Sequence, residues 1–476
     1  MFERRTKIVA TLGPATDAPG MVDRLIAAGM DCARLNCSHG TAEELRRRAA
    51  EVRTAAGRAG RPVGVLFDLQ GPKLRLSAGT VPRTVQAGET VTFAGTDGTA
   101  GEDCVRVDFA DFARLVTERS EIVIGDGVPR LVVVSAGPGE VVARALSRGE
   151  LAPRKGINVT YARPELPAIT DKDIADLGVA AELGADFIAL SFVRSAADIE
   201  QLRARSTDLG WHGRTIAKIE KVEAYEHLDE IIAVADGVMV ARGDYGVEAG
   251  VARVPLMQKD TIYRATQAGK LVITATQMLE SMIHAPEPTR AEATDVANAV
   301  IDGSSAVMLS AETSVGDYPV EAVRAMAQLA QAAEESPVIH GRARASTPDT
   351  PAAAVMHAAV ELADELDAAA LLVPTSVGGA PRACAKYRRR RPIIALAHDP
   401  RVADQLTLEW GVYPHSIEVT ESVDELIDSA LLAAKGLRRP AQRHARGDHR
   451  RAPYRRHRGD KSDHGPRDPL SRTDRD

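Results

Sequence analysis

The chain has 476 residues, and a typical size of ~150 residues per domain indicates roughly three domains. Hydrophobic residues make up 44% and charged residues 26%, which excludes a collagen, a coiled coil and a wholly disordered protein. The formal net charge of -6 gives no general electrostatic attraction to nucleic acid or to anionic membranes.

Cysteine use and the N-terminus both favour a cytoplasmic protein. Cys32, Cys37, Cys104 and Cys384 have spacings that fit neither a zinc site nor a disulfide framework. The N-terminal sequence MFERRTKIVATLGP lacks an apolar leader, and no apolar run in the chain is long enough to span a membrane. We therefore expect reduced thiols and no membrane partner.

Eight short apolar runs, each followed by a helical pattern, predict buried parallel strands, because strands covered on both faces show no polar alternation. Eight such units predict a (β/α)8 TIM barrel, an α/β fold. Helix signals agree, since Thr289 and Glu292 form a capping box and Pro319 suits a first helical turn. The runs span residues 7–13, 32–36, 62–69, 186–192, 215–220, 237–244, 271–276 and 306–313.

Two further regions interrupt or follow this rhythm. Alternating short strands with glycine-rich turns between the third and fourth runs predict an inserted β-barrel lid. A new series of strands and helices after the eighth run predicts a smaller α/β domain. The expected division is barrel 1–75, lid 76–155, barrel 156–342, C-terminal α/β domain 343–436 and an arginine-rich tail 437–476.

The tail holds twelve arginines and no Val, Ile, Phe or Met. So apolar-poor a segment cannot offset its ordering entropy, and we expect it to be disordered. A solvated tail without a specific partner is the favoured interpretation. A nucleic-acid-binding tail and translation from a shifted reading frame are the alternatives.

In a barrel of this kind catalytic groups lie at the C-terminal ends of the strands. After the second run, Arg34, Asn36 and Ser38 stand at alternate positions, which places them on one face of a strand. Arginine binds phosphate or carboxylate, while Asn and Ser offer neutral oxygens to a cation. A capped turn is the simpler interpretation of this triplet alone, and His39 is interpreted as a turn residue.

The third and fifth runs also end in charged residues. Asp68 ends the third run, and Lys73 and Arg75 follow it after a Gly-Pro turn. Lys218 and Glu220 end the fifth run two positions apart, and therefore on one face. The spacing predicts positive charge and a carboxylate together at the barrel mouth.

The sixth run ends in Arg242, Gly243 and Asp244. Glu220 with Asp244 forms a plausible Mg²⁺ or Mn²⁺ site, because these ions take one or two carboxylates with water and substrate oxygens. A structural ion pair at the rim is the alternative for each residue alone. The hypothesis depends on such groups recurring at successive strand ends.

The last two strand ends add Thr274, Thr276, Gln277, Ser310 and Glu312. The hydroxyls belong either to the site or to the polar part of the barrel core. Cations, carboxylates and hydroxyls together suit a small, highly anionic substrate and phosphoryl transfer. The chain has no GxxxxGK[ST] loop and no protein-kinase signature set.

Over residues 1–340 the sequence resembles the pyruvate kinase family. The motifs include ARLNCSHG (33–40), DLQGPKLR (68–75), AKIE (217–220), VMVARGD (238–244), VITATQMLESM (272–282) and PTRAEATDVANAVIDG (288–303). The resemblance implies a barrel, a lid and a regulatory C-terminal domain in a homotetramer. It also implies Mg²⁺-dependent phosphoryl transfer from phosphoenolpyruvate to ADP, a step of glycolysis.

Residue roles follow from the same resemblance. Arg34 would bind the phosphate of phosphoenolpyruvate, Lys218 would stabilise the transferring phosphoryl group, and Glu220 and Asp244 would hold Mg²⁺ or Mn²⁺. The remaining implied roles are substrate contact at Gly243 and Thr276, proton delivery near Thr276 and Ser310, and nucleotide binding at Asn36, Arg75 and Lys155.

Members of this family that need K⁺ hold it at positions that correspond here to Asn36, Ser38, Asp68 and Leu69. The set Leu69, Gln70, Lys73 and Leu76 instead resembles the potassium-independent members. An ammonium group on Lys73 would supply the positive charge, and two cations in one pocket would repel each other. We therefore expect no K⁺ requirement.

Two alternatives to a phosphotransferase are left open by the residues. One is a metal-dependent aldolase or lyase that acts through a pyruvate enolate and has no need of Lys218 beside the metal. The other is an inactive barrel that binds nucleic acid through the basic tail.

Overall fold

Eight parallel strands close into a barrel in the computed structural model of this chain. The structure describes residues 4–98, 101, 103–118, 120–125, 127–160, 167–336, 348, 350–419 and 422–437. The tail 438–476 lies outside the described residues. Within the described part, no helix is both long and apolar enough to cross a membrane.

The first part of the barrel holds three strands and two helices, joined by a short 3₁₀ turn at Pro14–Thr16. Thr41 caps the second helix through a reciprocal box with Glu44, and Gly60 ends it in a left-handed conformation. The elements are β1 Lys7–Leu12, α1 Met21–Ala28, β2 Cys32–Asn36, α2 Ala42–Ala59 and β3 Gly64–Asp68.

The inserted lid follows as a seven-stranded sheet with the order β4-β12-β8-β9-β10-β6-β7 and a two-stranded sheet β11-β5. An isolated bridge between Leu76 and Val107 connects the two edge strands, but the strand order is that of an open sheet and not of the closed β-barrel that the sequence predicts. Its elements are β4 Leu74–Arg75, β5 Arg83–Val85, β6 Thr90–Ala94, β7 Val105–Arg106, α3 Phe112–Leu115, β8 Glu121–Ile124, β9 Arg130–Gly137, β10 Glu140–Ala145, β11 Gly149–Leu151 and β12 Gly156–Val159.

The remaining five barrel strands alternate with helices as the pattern predicts. Thr289 and Glu292 form the expected capping box, and Gly303 ends that helix with φ 112°. The elements are α4 Asp171–Glu182, β13 Phe187–Leu190, α5 Ala196–Asp208, β14 Arg214–Ile219, α6 Val222–Glu226, α7 Leu228–Val234, β15 Gly237–Ala241, α8 Arg242–Ala249, α9 Val254–Gln267, β16 Leu271–Ala275, a 3₁₀ turn Glu280–Ile283, α10 Arg290–Asp302, β17 Ala306–Leu309, α11 Ala311–Ser314 and α12 Pro319–Glu334.

The barrel closes in the order β1-β17-β16-β15-β14-β13-β3-β2, which confirms the predicted TIM barrel. One apolar layer lies between strands and helices. A second fills the barrel interior with residues such as Leu66, Ile216 and Met308. This packing fixes the strand ends, and therefore the side chains that follow them.

The C-terminal domain has a three-stranded parallel sheet in the order β18-β19-β20 in the described residues. It is the smaller α/β unit that the sequence predicts. Its elements are α13 Pro351–Glu365, β18 Leu371–Thr375, α14 Gly379–Lys386, β19 Ile393–Ala397, α15 Pro400–Gln405, β20 Val412–Ser416 and α16 Val423–Leu437.

This domain closes the floor of the barrel, the end opposite to the site. Leu408 is fully buried and belongs to the apolar cluster inside the barrel. Lys7 Nζ donates to Val412 O at 2.6 Å, and Arg214 pairs with Glu409. Arg53 lies 2.9 Å from Asp186 of the barrel and 3.1 Å from Asp404 of the C-terminal domain.

Candidate active site

Four charged side chains from the ends of β2, β3 and β14 meet at the barrel mouth. Arg34 Nε donates to Asp68 Oδ2 at 2.7 Å. Lys218 Nζ lies 3.2 Å from Asp68 Oδ1 and 3.6 Å from Glu220 Oε2. All four residues are buried, so their charges interact through a medium of lower polarity than water.

Burial and charge pull the pKa values of this cluster in opposite directions. Burial opposes ionisation of Asp68, but Lys218 and Arg34 outweigh it and hold the pKa of Asp68 below its ordinary value. Burial lowers the pKa of Lys218, but Asp68 and Glu220 outweigh this and raise it. Lys218 is therefore a fixed positive charge at the mouth.

Ser191 and Phe192, at the end of β13, complete the cluster and were not among the predicted site residues. Lys218 Nζ donates to Ser191 Oγ at 2.6 Å, and Ser191 Oγ donates to Leu69 O at 2.7 Å. Phe192 N–H donates to Glu220 Oε1 at 2.7 Å. Phe192 has φ 57°, a conformation that costs an aromatic residue free energy. A serine at the end of the fourth run is the signal that could have identified this pair.

The ends of strands β15 and β16 bring Gly243 and Thr276 together, and Asp244 directly follows Gly243. Gly243 N–H donates to Thr276 Oγ1 at 2.8 Å, and Asp244 lies in the first turn of α8. Arg242 donates to Thr276 O at 2.6 Å and to Gln277 O at 2.8 Å. Thr276 and Gln277 have φ 66° and 53°, so the arginine holds a strained turn beside the site.

The last strand end separates a structural carboxylate from a free hydroxyl. Glu312 accepts N–H groups of Leu279 at 3.1 Å and of Ser310 at 2.7 Å. Ser310 Oγ is buried and has no hydrogen-bond partner within the described residues. Thr274 Oγ1 instead bonds Ser304 Oγ at 2.7 Å, which places Thr274 in the barrel core.

One detail of the predicted triplet at β2 is wrong. The strand ends at Asn36, so Ser38 lies in the following turn and does not share a strand face with Arg34. Asn36 Oδ1 accepts Ser38 N–H at 3.1 Å. This side-chain bond to the backbone favours a turn over continued strand.

A cleft of about 1160 Å³ lies between the lid and the barrel mouth. Lys73 and Arg75 line it from the lid side, and Asp244 and Gln277 line it from the barrel. Lys155 is not among the described lining residues, and its Nζ lies 3.2 Å from Glu150 Oε2. The cleft is large enough for two small anionic molecules.

Glu220 and Asp244 fit a hard divalent cation. Burial raises the pKa of Glu220 to about 7 against the opposing charge of Lys218, and the charge of Asp244 adds to the effect of burial. Glu220 Oε2 has no hydrogen-bond partner among the described residues. A buried carboxylate oxygen without a hydrogen-bond partner, within electrostatic reach of a second carboxylate, is stabilised by a divalent cation.

Comparison with known proteins places this geometry in a family. Residues 3–323 match the family model "Pyruvate kinase, barrel domain". Residues 353–445 match "Pyruvate kinase, alpha/beta domain". Members of this family generally use Mg²⁺ or Mn²⁺.

Related proteins are similar to this chain over nearly its whole length. The pyruvate kinase of Geobacillus stearothermophilus is 42% identical over 443 residues, 91% of this chain and 75% of that protein. That of Corynebacterium efficiens is 41% identical over 438 residues, 91% of this chain and 92% of the relative.

A solved structure shows the same architecture. The crystal structure of a pyruvate kinase from Cryptosporidium parvum superposes with a TM-score of 0.85 at 35% identity, and the match covers 91% of each chain. Family models, relatives and fold agree, and the chain belongs to the pyruvate kinase family.

Proposed function

We propose that this chain transfers the phosphoryl group of phosphoenolpyruvate to ADP and so forms pyruvate and ATP. The observation that carries the proposal is the buried cationic pair Arg34 and Lys218 at the barrel mouth, beside Glu220 Oε2, which has no hydrogen-bond partner among the described residues. Phosphoryl transfer needs little covalent help from a protein. It needs fixed positive charge where negative charge is shared among the transferring oxygens.

In the proposed mechanism Arg34 binds the phosphate of phosphoenolpyruvate and Lys218 neutralises the phosphoryl group in transit. The bond from phosphorus to the enolate oxygen breaks as a bond to an ADP oxygen forms. Glu220 and Asp244 would hold Mg²⁺ or Mn²⁺, which supplies further positive charge to the phosphate oxygens when bound. Asn36, Arg75 and Lys155 are the proposed nucleotide contacts.

The enolate then takes up a proton at its terminal carbon. Ser310 Oγ is buried without a described partner, and Thr276 lies in contact with Gly243. We assign proton delivery to Ser310 and Thr276. Gly243 and Thr276 also orient the substrate. The lid would keep water from competing with ADP for the phosphoryl group.

The residues at the potassium position support activity without K⁺. Asn36 Oδ1 is bonded by Ser38 N–H, Leu69 O by Ser191, and Asp68 by Arg34. These oxygens therefore already have partners, and Lys73 adds positive charge at the cleft. We expect a rate change of less than about twofold when Na⁺ replaces K⁺. A collapse of activity in Na⁺ would contradict this.

We also infer a cytoplasmic homotetramer with the domain division given above, except that β4 and β12 pair within the lid sheet and extend the lid to residues 74–159. The inference has its support in the membership of the chain in this family and in cysteine spacings that fit neither a zinc site nor a disulfide framework. Light scattering of the purified chain tests the assembly, and a stable monomer at working concentration would contradict it.

The test of the activity is product analysis. The full-length chain is incubated with phosphoenolpyruvate, ADP and Mg²⁺, and ³¹P NMR follows the phosphorus. We expect the phosphoenolpyruvate signal to be replaced by the signals of ATP. Conversion to inorganic phosphate alone, or to no product by folded protein, would contradict the proposal.

A further inference from the structure

A contact between the lid and the barrel lies outside the charged cluster, at the C-terminal end of α8. Glu248 is buried, and both of its carboxylate oxygens are engaged. Oε1 accepts Val222 N–H at 2.9 Å. Oε2 accepts Asn158 Nδ2 at 2.9 Å and lies 3.0 Å from Lys221 Nζ. Asn158 belongs to the lid, whereas the other three residues belong to the barrel.

Lys221 completes a closed set of bonds. Its Nζ donates to Asn158 Oδ1 at 2.8 Å and to Val159 O at 3.2 Å. The amide of Asn158 therefore donates to an acid and accepts from a base, both buried. Hydrogen bonds to charged partners are about twice as strong as bonds between neutral groups. We call Asn158, Lys221 and Glu248 the lid latch.

Helix α8 connects the lid latch to the candidate site. Its first turn carries Gly243 and Asp244, and its last turn carries Glu248. Val247 O, in the same last turn, accepts a second lid bond from Arg130. Asp244 and Glu248 stand four residues apart and are neighbours on one face of the helix, so a lid bonded to Glu248 is held one helical turn from Asp244.

Sequence position strengthens the connection. Lys221 directly follows Glu220, so the same chain segment holds the proposed metal carboxylate and the lid. The cleft separates lid and barrel over much of their facing surfaces. Asn158 and Lys221 themselves line the cleft, so their bond connects its lid wall to its barrel wall and determines how the lid stands over the mouth.

We propose that the lid latch positions the lid during phosphoryl transfer and keeps water out of the cleft. The inference rests on the proposed function. Its members are positioning residues, since they act through the lid. When the lid stands open, a water oxygen can bond to phosphorus as the bond to the enolate oxygen breaks. The enolate carbon then takes up a proton, and inorganic phosphate and pyruvate appear without ATP.

The kinetic test replaces only the lid side chain. Asn158→Ala leaves the Lys221–Glu248 pair in place, and Arg83→Ala is the control, because Arg83 pairs with Glu89 within the lid. For Asn158→Ala we expect the KM for ADP to rise about tenfold, the scale of one hydrogen bond to a charged group. We also expect pyruvate to exceed ATP. The control should keep the wild-type KM and equal product yields.

A labelling test needs no activity. Lys221 is 7% exposed, and lid opening uncovers it. Reductive methylation mapped by mass spectrometry should modify Lys221 several-fold faster in Asn158→Ala than in wild type or Arg83→Ala. Lys7, at the barrel floor and 3% exposed, should react equally slowly in all three proteins.

The outcomes separate the two proposals. Wild type that makes no ATP overturns the proposed function, and the labelling of Lys221 still tests the lid latch. Active wild type with unchanged KM, product ratio and labelling in Asn158→Ala overturns the lid latch alone. An equal loss in thermal stability for both variants, with no difference in these readouts, would assign Asn158 to structure only.

Discussion

At the barrel mouth, buried carboxylates and cations pair beside a cleft, whereas at the floor buried ion pairs join the barrel to the C-terminal domain. Lys218 lies between Asp68 and Glu220 at the mouth. At the floor Arg53 lies between Asp186 and Asp404. The two arrangements use the same chemistry, one cation between two acids, at opposite ends of the barrel.

The difference lies in what is left unsatisfied. Glu220 Oε2 and Ser310 Oγ at the mouth have no hydrogen-bond partner among the described residues. Asp186 Oδ2 at the floor accepts both Arg53 and Val65 N–H. A buried polar atom without a partner costs free energy, so a ligand that satisfies Glu220 Oε2 and Ser310 Oγ would stabilise the mouth.

Several backbone turns at the mouth are strained. Phe192, Thr276 and Gln277 all have positive φ and follow barrel strands directly. Such conformations persist only where surrounding bonds hold them. These turns, with Glu220 Oε2 and Ser310 Oγ beside them, support a functional site at the mouth, and the ion pairs at the floor serve cohesion.

The largest expected effect is the loss of the mouth cation. Lys218→Met should lower kcat by about 10²–10³, the cost of removing one preorganised charge partner. Steady-state kinetics with saturating phosphoenolpyruvate and ADP measures it. Lys7→Met is the matched control, because Lys7 is also a buried lysine but lies at the floor. Less than a tenfold loss in Lys218→Met would remove the functional distinction between the two ends.

The next effect belongs to the floor and to stability. Glu409→Gln leaves Arg214 buried without its acid, and we expect the free energy of unfolding to fall by about 3 kcal/mol. Denaturant unfolding measures the change. Because Glu409 lies at the opposite end from the site, kcat should stay within about twofold of wild type. A large loss of kcat with unchanged stability would reverse the roles of mouth and floor.

A pH titration of the free energy of unfolding tests the burial of Lys7 at the floor. Burial lowers the pKa of Lys7 from 10.5 to about 8. Between these values the unfolded chain binds more protons than the folded one, so the free energy of unfolding should rise with pH. Comparison with Lys7→Met isolates this slope. Parallel stability curves for the two proteins from pH 8 to 10.5 would show that Lys7 does not titrate as its burial implies.

The smallest effect tests the polar part of the core. Thr274→Val removes the bond to Ser304, and we expect a loss of about 1 kcal/mol in stability. Activity should be unchanged, since Thr274 is buried among the barrel strands. Thr276→Val, two residues on, is the contrasting variant, and we expect it to lower kcat. A loss of activity in Thr274→Val would show that the Thr274 hydroxyl belongs to the active site.

Much of the barrel could be predicted because its strands are continuous apolar runs bounded by turns. The eight observed strands fall within one residue of the predicted ranges or inside them. Alternation along each strand also predicted that Lys218 and Glu220 face the same way, and their charged groups lie 3.6 Å apart.

Other features depend on contacts that no local pattern encodes. Asn158 and Glu248 are 90 residues apart, and neither follows a motif that predicts a shared bond. Ser38 left its predicted strand face because Asn36 bonds the backbone locally. Ser191 was missed because a single hydroxyl at a strand end carries little signal until Lys218 is seen to donate to it.

The most direct measurement is the initial rate of pyruvate formation from phosphoenolpyruvate by the purified full-length chain with Mg²⁺, with and without ADP. We predict rapid turnover with ADP and almost none without it, because the mouth holds cations for a phosphoryl group that ADP must accept. Equal rates in the two conditions, or no turnover by folded chain, would contradict the assignment of the barrel mouth to phosphoryl transfer.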